Sequence, residues 1–164
     1  MKFLRTVRFD ASDEQVFARV AEPGEWAVPG SFEFLDADPR QLSGKDAQAF
    51  SNGFLGIGSF GWSSLVEIAD IDEDGFQRII DQLAQYFIGH HGAPHIAAAL
   101  PMAADEAHYA STVCEYPLHT LLAIEREFGD DGIVESLKVI RPQRADGHGQ
   151  VRLWGNDDTQ ERSE

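Results

Sequence analysis

The sequence predicts a single α+β domain, a mostly antiparallel sheet with helices packed against it. Three observations lead there. The chain has 164 residues, near the commonest domain size, and 43% of them are hydrophobic, enough for one sizeable core. Several short runs alternate apolar and polar residues with the period of a strand. One longer run, Phe76, Ile79, Ile80, Leu83, Tyr86 and Phe87, recurs at helical spacing with polar residues between. The domain is expected over 1–154. A disordered acidic tail is expected over 155–164, where every residue is small, polar or charged.

Residues 3–9 read as a strand, with Phe3, Arg5, Val7 and Phe9 on one face. The interspersed arginines predict one wet face or a sheet edge. Ser12 and Gln15 form a capping box for a short helix that buries Val16, Phe17 and Val20 and stops at Pro23-Gly24. Trp26 and Val28 suggest an extended piece, and residues 31–35 have the period of a short strand. Ser43 with Asp46 is a second capping box. It opens a helix through Ala47, Ala49 and Phe50 that ends at Asn52-Gly53. Residues 62–71 read as a buried strand carrying Leu65, Val66, Ile68 and Ile71.

The helix over 73–89 is the clearest element, with Asp72 or Asp74 to cap it and Gly89 or Gly92 to end it. Burying its six large side chains is worth on the order of 10 kcal/mol gross, so it should organise the core. Pro101 suits the first turn of a following helix, on which Ala103, Ala107, Ala110 and Cys114 share a small-residue face; Pro117 stops it. Residues 120–141 contain two β-like runs around Gly129-Asp130-Asp131-Gly132, which reads as a hairpin with Glu135, Leu137 and Val139 on one face. The helical alternative would line up Ile133, Leu137 and Ile140. Residues 151–154 offer a further edge strand.

Charge bounds the partners. Twenty-eight acidic residues against thirteen basic give −15, and such a surface repels phosphate backbones and anionic lipid heads. No nucleic-acid and no membrane role is expected. No run of 18 apolar residues exists, and the first residues hold no signal-like apolar stretch. A single cysteine excludes an internal disulfide. The expected location is the cytoplasm.

Few residues invite a chemical reading. Gly56-Ile57-Gly58-Ser59-Phe60-Gly61 matches G-x-G-x-x-G, but a dinucleotide fingerprint needs a strand before it and a helix after it. Here a helix-like piece precedes and a strand-like piece follows, so a helix-to-strand connector is expected and no bound cofactor. Ser59 narrowly misses a nucleophile elbow, because Ile57 replaces its first glycine.

His90, His91, His95, His108, Cys114 and His119 fall within thirty residues and supply the donor types that hold zinc. Glycine and proline interrupt the segments that would aim them, so no metal site is expected. His90 and His91 should satisfy a helix C-terminus, and Cys114 should pack as a small apolar residue. The carboxylates at Asp70, Asp72, Glu73, Asp74, Asp130, Asp131, Asp157 and Asp158 lie at element boundaries or in the tail and read as caps and solvated turns. Glu67 lies inside an apolar strand, where burial would raise its pKa; alternation can equally point it to water. Arg126 and Lys138 face the same choice. Trp26, Trp62, Phe32, Phe34 and Phe54 can line a cleft, although ordinary core is the favoured reading.

Three stretches, residues 2–10, 21–28 and 52–56, resemble an uncharacterised family of short alphaproteobacterial proteins of about this length. The resemblance implies a bacterial cytoplasmic setting and a single domain, and it supplies no catalytic residue. The sequence therefore predicts a non-catalytic cytoplasmic accessory or interaction protein with a protein partner or a homodimeric state. The alternative is a small metal-binding or metal-dependent protein that uses the histidine and cysteine cluster of residues 90–119.

Overall fold

A computed structural model describes residues 1–140 and the backbone of a strand at Thr159–Ser163. Its strands are β1 (Lys2–Val7), β2 (Trp26–Val28), β3 (Phe54–Gly56), β4 (Trp62–Ser63), β5 (Leu65–Asp70), β6 (Leu121–Gly129), β7 (Gly132–Ile140) and β8 (Thr159–Ser163). They form one curled sheet in the order β4-β3-β2-β1-β5-β6-β7-β8, and every neighbouring pair is antiparallel. Four α-helices accompany it: α1 (Ser12–Val16), α2 (Gly44–Asn52), α3 (Glu73–His90) and α4 (Ile96–Thr112). This is the expected α+β domain.

β1 is not an edge. It pairs along its whole length with β5 and also with β2, and both Phe3 and Leu4 are fully buried. Its arginine is tolerated there because Arg5 donates to Glu67 Oε1 at 2.5 Å and lies over the Trp26 ring. The Ser12 capping box does not form. Ser12 is the first helical residue, and its N–H donates instead to Asp10 Oδ1. Helix α1 stops at Val16, where Phe17 turns extended, and Val20 makes an isolated parallel bridge to Trp62. Ser43 does sit at the N-cap of α2, but its side chain makes no capping bond.

Residues 31–35, expected as a strand, contain a 3-10 helix at Ser31–Phe34. Gly30, at φ 88°, turns the chain into it. A strand would send Phe32 and Phe34 to one face. The fold needs them apart: Phe32 packs edge-on against Phe87 of α3, and Phe34 against Phe50 of α2.

Helix α3 follows the sequence closely. Asp72 caps it, accepting from the Gly75 N–H at 2.6 Å, and Phe76, Ile79, Ile80, Leu83, Tyr86 and Phe87 are all buried. Helix α4 begins a turn earlier than Pro101 suggests. His95 is its N-cap, with Nδ1 accepting from the Ala98 N–H, and Pro101 lies inside the helix. The small face of Ala103, Ala107 and Ala110 is fully buried, together with Ala99, but the helix ends at Thr112, so Cys114 lies beyond it and Pro117 does not stop it. The hairpin is present: β6 and β7 pair through nine positions around Asp130-Asp131. The 151–154 strand lies outside the described residues. Of the tail, Thr159–Ser163 form β8 against β7, where composition alone predicts disorder.

One polar network is buried among these elements. Arg126 Nε donates to Glu135 Oε1 at 2.9 Å, and both side chains are completely inaccessible. The guanidinium also donates to the carbonyls of Phe50, at the end of α2, and of Pro29, and it lies over the rings of Phe34 and Trp62. Tyr109 of α4 donates its hydroxyl to Glu135 Oε2 at 3.2 Å. The pair thus joins the hairpin to α2, to α4 and to the loop after β2.

Leu83→Ala should lower stability by about 2–5 kcal/mol in denaturant melts, the usual cost of a buried large-to-small change. A loss below about 1 kcal/mol would show that the site collapses around the cavity. Glu135→Leu should cost about 3–5 kcal/mol, because it leaves the buried guanidinium without its counter-charge. Adding Arg126→Met should restore only part of that, since the Pro29 and Phe50 carbonyls then lose their donor. A double variant as stable as the parent would show that those two carbonyls find other donors.

Candidate functional site

The sheet is split between β5 and β6. Their ladder runs from Val66–Leu122 through Glu67–Leu121 to the backbone bond from Ile68 to Thr120, and it opens on the other side of Val66, toward Leu65 and Ser64. Side chains from the short helices meet the backbone groups freed on each side. Asp13 of α1 is buried and accepts from the Ser64 N–H at 3.1 Å and from the Ser64 hydroxyl at 2.6 Å. Asn52 of α2 donates to the Ile124 carbonyl at 3.1 Å. Buried backbone groups need partners, so these bonds replace the missing ladder and hold the split open.

A groove of about 430 Å³ lies over the split. Val7, Leu65, Ala123 and Ile140 give it apolar walls, and Arg8 and Lys138 stand at its margin. Lys138 is paired with Glu125 at 2.8 Å, and Arg8 with Glu14 and the Ala21 carbonyl. An apolar cavity with a few charged groups at its rim is the usual form of a binding site.

The glycine segment is a turn between strands, not a helix-to-strand connector: it joins β3 to β4. No helix follows to meet a phosphate. Its anion position is filled from within the chain. Glu25 accepts from the Ser59 N–H at 2.6 Å, the Ser59 hydroxyl at 2.7 Å and the Glu22 N–H at 2.6 Å. Two glycines are required by close approach. A Cβ on Gly58 would lie 2.7 Å from Glu25 Oε1, and one on Gly61 would lie 2.5 Å from the Val20 carbonyl carbon. The Ser59 hydroxyl is held by Glu25, and among the described residues it makes no hydrogen bond to a histidine.

The histidines spread over different tasks. His90 stacks on Tyr86, with centroids 4.4 Å apart. His91 is the C-cap of α3 through its backbone, which donates to the Phe87 carbonyl, but its side chain turns to Glu33 instead of the helix end, Nε2 to Oε1 at 2.7 Å. His95 caps α4, His108 packs edge-on against Phe76, and His119 lies 3.5 Å from Glu67. Among the described residues, no group of three or more His, Cys, Asp or Glu side chains is arranged to hold a metal ion. Cys114 is buried, and its thiol points at the Ala110 carbonyl. Burial pushes its pKa up to about 12 against a weaker opposing effect from Lys2.

Glu67 is paired with Arg5 and stays partly open to solvent. Lys138 sits at the groove margin, whereas Arg126 turns inward. Phe32, Phe34 and Phe54 are core, and Trp26 and Trp62 are half-buried. Asp72 caps α3 and Asp130-Asp131 form the hairpin turn; Asp157 and Asp158 lie outside the described residues.

The pairing of Glu135 with Arg126 was readable in principle. Alternation already sets Glu135 beside Leu137 and Val139, and a turn over 129–132 brings 126 opposite 135. Nothing local signals the bonds from Asp13 to Ser64 or from Glu25 to Ser59.

Cys114 generates a prediction with a sign. Its folded-state pKa exceeds the unfolded value, so the native state holds its proton to higher pH. Stability should therefore be unaffected by this group at neutral pH and fall as pH rises from about 9 toward 12. Below that window a thiol reagent should modify Cys114 only as fast as the chain opens. Rapid alkylation of the native protein at neutral pH would show that the thiol is reached without unfolding.

Among the described residues, no helix is long and apolar enough to cross a membrane. No curated protein and no solved structure matches the chain. A family model does match, over residues 1–157, and the chain belongs to that family, a family of unknown function (DUF6505).

Proposed function

We propose that the protein is a non-catalytic cytoplasmic accessory protein whose groove receives a short apolar segment of a protein partner. The observation that carries this reading is the split between β5 and β6, maintained by Asp13 and Asn52 and walled by Val7, Leu65, Ala123 and Ile140. The groups that would do chemistry elsewhere are engaged within the fold. Glu25 fills the glycine turn, Glu135 neutralises Arg126, and Cys114 is buried and protonated. The charge of −15 supports a protein partner over a nucleic acid or an anionic membrane surface. The cytoplasmic setting rests on the sequence resemblance and on the single cysteine.

A photo-crosslinking side chain placed at Lys138, in the groove, tests this against the same group at Gln82, on the exposed side of α3. The Lys138 position should give one discrete crosslinked protein in the native host, or a homodimer if the partner is a second copy. Leu65→Arg should abolish that product while the circular dichroism spectrum stays native. Equal products from both positions, or none from Lys138, would overturn the reading. Near-stoichiometric zinc lost on replacing His91 and Cys114 would favour the metal-dependent alternative instead.

A further inference from the structure

A second concavity, of about 190 Å³, is lined by a different set of α2 residues from the groove. Its walls are aromatic, from Phe60, Trp62 and Tyr86, and Arg19, Lys45 and Asp46 line it as well. Among the described residues, the side chains of Arg19, Lys45 and Asp46 make no ion pair or hydrogen bond. Among the described residues, the charged side chains lining the groove are matched within the chain, whereas these two cations and one carboxylate are exposed to solvent around one concavity.

The wall is also held in an unusual state. Phe60 has φ 53°, in the left-handed region that a bulky side chain rarely adopts. Its ring stacks face to face on Tyr86, with centroids 4.0 Å apart. The turn that imposes this is locked by the bonds from Ser59 to Glu25. Glu33 is the other lining carboxylate, and it is occupied by His91 and by the Tyr86 hydroxyl. Burial and that carboxylate both raise the Tyr86 pKa, so its hydroxyl stays a proton donor. Backbone strain that the surroundings over-determine is a mark of ligand sites.

We propose that this cleft binds a small zwitterion, a free α-amino acid. The carboxylate would meet Arg19 and Lys45, the ammonium would meet Asp46, and the side chain would lie against the Phe60 and Trp62 rings. The volume of about 190 Å³ is enough for one such molecule. A ligand of a single charge would leave either the two cations or Asp46 unmatched, which the lining does not favour.

Isothermal titration of the full-length protein with each proteinogenic amino acid tests the assignment. At least one should bind saturably with one-to-one stoichiometry. Arg19→Ala and Asp46→Ala, both at exposed positions, should each weaken it by about tenfold or more, as the loss of a charge-assisted contact does. The matching amine and the matching carboxylate, each lacking one charge, should lose a similar factor. No saturable binding of any amino acid at millimolar concentration would overturn the proposal. So would affinity that survives both substitutions, or an amine or carboxylate that binds as well as the zwitterion. Leu65→Arg, in the groove, should leave this binding unchanged, so failure here and failure of the groove reading are distinguishable.

Discussion

The guanidinium of Arg126 is the group on which the arrangement of the fold depends. It is buried without access to water, so every donor must be matched inside the chain. One edge meets Glu135 across the hairpin, and the others meet the carbonyls of Phe50 and Pro29. The Phe50 carbonyl is one of those that a helix leaves unpaired at its C-terminus. A single charge therefore closes α2, fixes the loop leading into the 3-10 helix, and holds both against the hairpin. Removing Glu135 would expose the cost of that burial at once, because the isolated cation has no route to solvent.

The position of α2 then determines the surfaces beside it. Asn52 reaches the Ile124 carbonyl and, with Asp13, keeps β5 and β6 apart. Elsewhere on α2, Lys45 and Asp46 line the concavity walled by Phe60 and Tyr86. Both concavities thus follow from where the Arg126 network anchors one nine-residue helix. The glycine turn adds a second internal match of the same kind. Its resemblance to a phosphate loop is limited to residue types, since Glu25 already supplies the anion that the turn's N–H and hydroxyl groups prefer.

Elements whose causes lie within a few residues were legible in the sequence. Helix α3 carries its own apolar stripe and its own cap at Asp72, and the hairpin carries its own turn at Asp130-Asp131. The small-residue face of α4 was legible too, though not its first turn, because Pro101 suggests a later start and His95 is an uncommon cap. Residues 31–35 misled for a related reason. The alternation of Phe32 and Phe34 is real, but the two rings have different destinations, and only the packing of α2 and α3 decides that they diverge.

By itself, then, the sequence determined the α+β class, the core helix, the hairpin with Glu135 on its inner face, and a net charge of −15. Those features rest on periodicity, turn chemistry and net charge, which act locally or in sum. The tertiary structure alone decided where the polar groups find partners. Arg126 and the Phe50 carbonyl are 76 residues apart, Asp13 and Ser64 51, and Glu25 and Ser59 34. No local propensity encodes such pairings. They arise because strand order and helix placement bring distant groups to one buried point, where each unmatched donor or acceptor would cost about 1–3 kcal/mol.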